Sequence, residues 1–561
     1  MPDAVPLSGS AFHALDRPRP GHHRARPLTP HEEQSPIELT LLLRERPATA
    51  TVQQTLALLQ TPEHANDRFD TEAVAARHAF ATADRDLVAH WARAGGAQLI
   101  GEDAATRRLR VRAPASRAAE LFGVRLEQFR WQRPGGVVEY RGHLGPVSVP
   151  RAIAHAVTGV YGLDDRPIAQ PRLQSLDQNR PGIVSYDPTE IAAIYRYPRL
   201  PNDGEGLHLV AGMIELGGVT HAAEVTAAFA RLGLPAPEII HVRVDGAEPS
   251  PDPGGADTEI ALDYQVIGAM TLAMAPKARL SIVCYDAPNS ERGFIDAAAA
   301  AASLTPHRPA AVSISWGTSE DMWSHQGIRG LDSVFATGAL RGVTYSAAAG
   351  DAGSDDGRLD GRQHPEFPAS SPHVWSCGGT TLLATRDHIL SETVWNERLR
   401  EQGAGGSGVS NVFAPPPYQT SAGIQPRHAD TGRLGRGLPD GSGVADPVTG
   451  WTVLAGGRLR STGGTSAVAP MYTALWTLVT ALRGRPIGLP HPAMYRLGTG
   501  GFNDVTQGAT GGPYSARRGW DAASGWGSPN GVAIARALGA PAPEVRTVRR
   551  RRAPSRGELA L

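Results

Sequence analysis

The chain has 561 residues, enough for about two to four domains and a large buried core. Lys plus Arg equals Asp plus Glu at 55 each, which argues against a nucleic-acid partner, and two cysteines, Cys284 and Cys377, are too few for a disulfide scaffold and lack metal-ligand spacing. No run of about 18 apolar residues is present to span a bilayer, and the first 30 residues, rich in Pro, His and Arg, lack the apolar centre of a conventional signal peptide.

Residues 1–35 read as a disordered leader, polar and punctuated by proline. Alternation then predicts a strand over 37–43, and helical spacing predicts helices over 52–59 and 71–94, the second broken near Asp84. Strands over 97–101 and 109–112, a helix over 116–122 and a hairpin of 124–131 with 137–140 around Pro134-Gly-Gly136 complete a compact α+β domain over 36–170. Residues 171–184 form a polar, proline-containing linker that a peptidase can cut. From 207 the pattern changes: strand-like runs at 207–216, 239–244, 278–285, 310–316 and 342–349 alternate with helical ones at 220–232, 257–274, 292–303 and 325–340. Such alternation means right-handed crossovers and a parallel sheet flanked by helices, an α/β domain over 185–540 with functional groups at the carboxyl ends of its strands. Cys284 and Cys377 lie in apolar, strand-like contexts and read as small buried hydrophobes. Residues 396–460, rich in Gly and Pro, read as long loops, and 541–561 as a disordered basic tail carrying Arg549 to Arg552.

Ser461-Thr-Gly-Gly-Thr-Ser466-Ala-Val-Ala-Pro470 precedes an apolar helical run, so Ser466 falls at a helix N-terminus, where unpaired N–H groups favour a nucleophilic oxygen and its anion. A plain helix cap at Thr465 or Ser466 is the alternative. Glu259 and Asp263 lie four apart on one face of an otherwise apolar helix. Like charges repel there, so they either serve the dipole and solvent or act together, one taking the serine's proton and the other orienting it. Asp351 ends the apolar run Tyr345-Ser-Ala-Ala-Ala-Gly350 before Gly353; it is a turn acid or, held neutral, a hydrogen-bond donor to an oxyanion.

Gly464-Thr-Ser466-Ala-Val-Ala-Pro470, Glu259-x-x-x-Asp263 and Ala349-Gly-Asp351-x-Gly353 together resemble the sedolisin family of serine-carboxyl peptidases, most closely its kumamolisin branch. Ile214-Glu215-Leu216, Ser313-Ile-Ser-Trp316-Gly317, Phe367-Pro-Ala-Ser-Ser-Pro372, Cys377-Gly-Gly-Thr380 and Asp446-Pro-Val-Thr-Gly450 add to the resemblance, which runs over about 36–538. It implies a subtilisin-like fold preceded by a ferredoxin-like inhibitory pro-domain over 36–170. In it, Ser466 is the nucleophile, Glu259 the general base, Asp263 the orienting acid and Asp351 the oxyanion donor. Glu215 and Trp316 extend the hydrogen-bond chain behind the acids, and Glu366 lines a substrate subsite.

Asn503-Asp504-Val505 and Arg517-Arg-Gly519-Trp-Asp521 resemble the family's calcium loop, with carboxylates of Asp504 and Asp521 and carbonyls of Val505, Arg517 and Gly519 as hard oxygen donors for one Ca2+. Arg517 stands where kumamolisin-like chains carry glycine, so its carbonyl ligates only if the local backbone suits a residue with a Cβ. The implied protein is an acid-active serine endopeptidase made as a zymogen, monomeric and extracellular, with polypeptide substrates and its own pro-domain as inhibitor. The alternatives are a catalytically idle, self-inhibited binding protein on the same fold and a conventional esterase. The latter wants a histidine base and a Gly-x-Ser-x-Gly elbow that Gly-Thr-Ser-Ala-Val lacks.

Overall fold

Alternating apolar runs fold into one sheet, parallel but for the antiparallel edge strand His388–Val394, in the computed structural model of the chain. The structure describes residues 3–541 except 47–50, 60–72, 74–75, 134–135, 172, 249, 253–254, 304–305, 359 and 386–387. The expected tail over 541–561 lies outside the described residues apart from 541, as do the hairpin turn at 134–135 and residues 71, 72, 74 and 75 of the 71–94 pattern.

Across the sheet the strands run Glu238–Arg243, Arg279–Asp286, His208–Glu215, Ala311–Ile314, Thr344–Ala348 and Trp375–Thr385, each neighbouring pair parallel. Helices Ala222–Arg231, Ala256–Met274, Glu291–Ser303 and His325–Leu340 fall within two residues of their expected bounds at each end. Side chains alternate across the strands, so Met213 and Cys284 enter one core with Ala256–Met274 and Val468–Arg483, while Ile214 and Val283 enter another with Glu291–Ser303 and His325–Leu340. Covered on both faces, these strands are apolar throughout rather than alternating. Cys284 and Cys377 are both fully buried, as expected.

Residues 396–460 are not simply loops. Gly441–Val444 pairs in parallel with Trp375–Thr385 inside the main sheet, and Trp451–Ala455 forms a hairpin with Arg458–Gly463. Gly441-Ser-Gly-Val carries no apolar pattern because a core side chain comes within touching distance of its backbone: a Cβ on Gly443 would meet Met471 Cε at 2.6 Å.

In the N-terminal domain the sheet order is Gln98–Asp103, Arg108–Pro114, Pro36–Leu43, Val157–Tyr161, all antiparallel, with helices Thr82–Ala94 and Ala115–Phe122 contributing to its core. Leu126–Arg133 and Gly136–His143 form the expected hairpin. The sheet docks on the C-terminal α/β domain through Tyr161, whose ring lies against Gly330, while its hydroxyl donates to the Gln326 carbonyl (3.0 Å). Gln326 Nε2 returns a bond to the Val160 carbonyl (2.8 Å).

The expected disordered leader does not hold. Ala4–Pro6 pairs with Ser148–Pro150, His22–Pro27 adds a strand to the hairpin, and Thr29 and Glu32 form a capping box on the short helix Pro30–Gln34. The polar composition misleads because four of its apolar and aromatic residues, Leu7, Phe12, His13 and His22, are buried one by one, Leu7 in the N-terminal domain's core and the two histidines against its hairpin. The linker is also ordered in part. Gln170–Pro171 pairs with Trp316–Ser319, and Gln174–Asp177 pairs with Arg458–Gly463.

Candidate active site

Gly463 and Gly464 turn the chain out of the strand Arg458–Gly463 into a 3-10 turn, Thr465–Ala467, and then the helix Val468–Arg483. Gly464 sits at φ 114°, which L side chains rarely adopt, and this fixes Ser466 just ahead of the helix. Ser466 is fully buried and its hydroxyl donates only a long bond, 3.3 Å, to the Ser315 carbonyl. The hydroxyl is therefore parked weakly and can turn to another acceptor.

The facing helix, Ala256–Met274, is buried at every residue from Ala256 to Leu272, so each polar side chain on it needs an account. Gln265 has one: it bonds the Ala261 carbonyl (2.9 Å) and both backbone groups of Leu454 (2.8 and 3.0 Å). Glu259 does not, since no bond of good geometry reaches either of its oxygens. Burial drives its pKa well above the usual carboxylate range, Asp263 adds to the rise, and the nearby hydroxyls of Ser466 and Ser315 oppose it. Asp263 accepts from Ser315 Oγ (2.8 Å) and is pushed up to about 7 by burial, against the pull of Ser315 and Ser313. Glu215 is raised well above the usual range by burial and by Asp263, and Trp316 Nε1 donates to it at 2.9 Å. Three carboxyl groups thus share one dry site and titrate together.

Ser315 went unnoticed in the sequence. Its hydroxyl lies 2.8 Å from Asp263 and 3.2 Å from the Ser466 carbonyl, tying the acids to the serine's turn. Only its place in Ser313-Ile-Ser-Trp316 hinted at it. Thr465 is the second omission: its N–H and hydroxyl donate to Asp351 Oδ1 at 2.7 and 2.8 Å, which locks Asp351 beside the residue preceding Ser466. Behind Glu215, Asp286 is bonded by His241 (2.8 Å), Arg243 (3.0 Å) and the Cys284 thiol (3.1 Å); this trio of metal-ligand types satisfies itself and carries a guanidinium.

With a serine, a buried acid pair and a bonded Asp351 converging, comparison with known proteins is decisive. Kumamolisin of Bacillus sp. (strain MN-32) is 37% identical over 521 residues, which cover 90% of this chain and 91% of kumamolisin. The chain belongs to the sedolisin family. Sedolisin of Pseudomonas sp. (strain 101) is 30% identical over 410 residues, 68% of this chain and 67% of that one. The structure of Pseudomonas sedolisin, a serine-carboxyl proteinase complexed with pseudo-iodotyrostatin, superimposes with a TM-score of 0.54 at 28% identity, covering 64% of this chain and 98% of that one. The pro-kumamolisin activation domain matches residues 24–166. This sedolisin-family chain is therefore a serine-carboxyl peptidase made with a pro-domain.

Glu366, in the short strand Glu366–Phe367, is buried with its carboxylate against the Cα atoms of Gly317 and Gly350: a Cβ there would meet Glu366 oxygens at 3.0 and 2.3 Å. It thus adjoins Asp351 without joining the acid pair. In the loop near the C-terminus, Asp504 Oδ2 accepts from Gly519 N–H (3.0 Å), and Asp521 from the N–H groups of Arg517, Ala523 and Ser524 (2.8 to 2.9 Å). Arg517 is absent from the non-glycine residues at positive φ, so its Cβ is tolerated and the glycine of other chains is not required. Asp504 Oδ1 is buried without a hydrogen-bond partner, an orphan acceptor in a set of hard oxygens that fits a calcium ion. Among the described residues no helix is long and apolar enough to cross a membrane.

Proposed function

We propose that this chain is the zymogen of an acid-active endopeptidase in which Ser466 is the nucleophile, Glu259 its general base, Asp263 the orienting acid and Asp351 the oxyanion donor. The observation that carries the reading is the unbonded, fully buried Glu259 beside Asp263, joined through Ser315 to the turn that presents Ser466. A buried carboxyl pair without compensation destabilises a fold by several kcal/mol, roughly, and such pairs mark sites where proton transfer is needed.

The serine hydroxyl turns from the Ser315 carbonyl to Glu259, which takes its proton as Oγ attacks the scissile carbonyl in those molecules where Glu259 is the ionised member of the coupled acid set. Asp351, protonated, donates to the oxygen that gains charge. Glu259 then returns the proton to the departing amine, leaving an acyl group on Ser466 that water removes by the reverse sequence. Glu215 and Trp316 hold Asp263 from behind. Glu366 is read as a subsite carboxylate that favours a basic residue at the second position before the scissile bond.

Endopeptidase action is supported by the linker, which pairs as a strand with Trp316 through Pro171 and with Gly463, in the segment leading to Ser466, through Gln174. The linker 171–184 is accordingly proposed to be cut, freeing the pro-domain over 36–170 from the peptidase domain over 185–540. The antiparallel strand order of the pro-domain supports a ferredoxin-like reading. Asp504 and Asp521, with the carbonyls of Val505, Arg517 and Gly519, are proposed to hold one structural Ca2+, which cross-links two segments of the C-terminal loop region. A monomer acting on polypeptides outside the cell follows from the same family reading.

The test is to incubate the purified chain at acid pH, measure fragment masses, and assay long peptides blocked at both termini. Cuts within 171–184 and internal cleavage of blocked peptides are expected. Release of amino-terminal tripeptides alone, with no cleavage of blocked peptides, overturns the endopeptidase reading.

A further inference from the structure

The segment 3–27 touches both halves of the molecule. The Gly9 carbonyl accepts the Gln326 N–H (2.8 Å), an otherwise unpaired donor in the first turn of His325–Leu340, and a Cβ on Gly9 would meet His325 Cβ at 2.8 Å. The Arg329 guanidinium bonds the Ser8 carbonyl and that of Arg19 bonds the Asp321 carbonyl, both on the peptidase side. On the other side, Ser10 accepts from Val147 N–H (2.8 Å) and Ala4–Pro6 pairs with Ser148–Pro150. The activation-domain match begins at residue 24, so the residues of the segment that make these contacts lie before it.

Between the two attachments runs a relay whose hydrogen-bond directions require a neutral His13. Arg19 N–H donates to His13 Nδ1 (3.2 Å), which therefore carries no proton. With Nδ1 so occupied, His13 Nε2 donates to the Tyr140 hydroxyl (2.6 Å), which is also hydrogen-bonded to His22 Nδ1 (2.9 Å). His13 stacks on Phe129 at 4.6 Å and His22 on Trp131 at 4.9 Å. The surroundings are already cationic: the guanidinium carbons of Arg166 and Arg19 lie 3.3 and 4.1 Å from the centroid of the Phe12 ring.

We propose that residues 3–27 form an acid-released latch holding the activation domain on the peptidase domain, with His13 and His22 as its triggers. Facing them are Arg19 and His23 on the segment itself, Tyr140, His143, Asp164 and Asp165 on the activation domain, Arg166 at its exit, and Glu291, Asp321, His325 and Arg329 on the peptidase domain. Among these the nearest charges on the histidines are the guanidinium groups, so a second proton has no acid to receive it. Burial first, then Arg166, pushes His13 down to about 2 and His22 to about 3 from a usual 6.5. The docked latch thus binds fewer protons than the released one. Docking is fully favourable above pH 6.5 and weakens as pH falls below it, by up to about tenfold per histidine per pH unit.

The latch serves the zymogen reading above but is tested without catalysis. In the full Ser466→Ala chain, hydrogen-exchange protection of 4–13 and 22–27, corrected for intrinsic rates, should fall at least about tenfold between pH 6.5 and 4.5. Strands Pro36–Leu43 and Arg108–Pro114 should stay protected, and His13→Phe/His22→Phe should keep the latch closed at pH 4.5. Protection independent of pH in the parent, or the same loss in a folded double variant, overturns the proposal. If that variant does not fold, titration of the imidazoles in the parent decides: pKa values near 6.5 while the latch stays protected sink it. Latch opening in a wild-type chain that never cuts itself would sink the zymogen reading instead.

Discussion

Around Ser466 the buried ionisable side chains are acids, and around Tyr140 they are bases. Glu259, Asp263 and Glu215 are raised by burial, so they stay protonated further up the pH scale than free carboxyls. His13 and His22 are lowered by burial, so they stay unprotonated further down. Both cores hold their groups uncharged by exclusion of water, yet acid acts on them with opposite sign. At the acid site the folded state binds more protons than the unfolded one, so acid supports that site; in the pro-domain contact the folded state binds fewer, so acid opposes it. The difference shows that one solvent variable can loosen an inhibitor while supporting the acid site beneath it.

The strongest way to break the comparison is to remove the group both cores are read as serving. Ser466→Ala should abolish acid self-processing, by about four orders of magnitude or more, with the chain still folded. Intact mass after acid incubation reads this, and cutting at the wild-type rate removes Ser466 from the mechanism. Next, turnover should peak in acid and fall on the alkaline side, because an ionised Asp351 faces a forming oxyanion with like charge. Asp351→Asn should cost about tenfold at the optimum, since an amide still donates, and should lose part of the alkaline fall. An optimum above neutrality, or an unaltered alkaline limb in the variant, counts against these roles.

Stability sharpens the acid half of the comparison. Asp263 has a raised folded pKa, so its contribution is present in acid and is lost as pH rises from its usual 3.8 through about 7. The melting temperature of the Ser466→Ala chain's peptidase domain should fall over that window, and Asp263→Asn should flatten the slope; a rise instead reverses the assignment. Chelation should lower the same melting temperature by about 5 °C, since a hundredfold excess of calcium over its Kd stabilises by about 2.7 kcal/mol. Indifference to chelator with no bound metal removes the ion from the loop. The smallest effect is expected at Glu366→Gln, about fivefold in kcat/KM against peptides with a basic residue two before the cut, matching about 1 kcal/mol for one charge pair. An unchanged profile dismisses Glu366 as a selector.

The sheet was legible because crossovers impose periods that helices Ala256–Met274 and Glu291–Ser303 and strands such as His208–Glu215 display openly. Gly441–Val444 was hidden because its glycines exist to admit Met471, leaving no apolar pattern to read. The leader was misread for a related reason: composition averages over 35 residues, whereas order there comes from Leu7, Phe12, His13 and His22 inserted one by one. In the site, Glu259 and Asp263 stood out as acids on an apolar helix. Ser315 and Thr465 did not, because a hydroxyl that orients a carboxylate is indistinguishable in sequence from any other serine or threonine.

The two cysteines, set aside at the outset as core filler, form a pair of internal reporters. Cys284 and Cys377 are wholly inaccessible, one in Arg279–Asp286 and the other in Trp375–Thr385, with three strands between them. An alkylating reagent can reach neither without parting the sheet. Their separate rates of modification, followed by peptide mass, would time the opening of each flank and tell whether this domain comes apart at one seam or all at once.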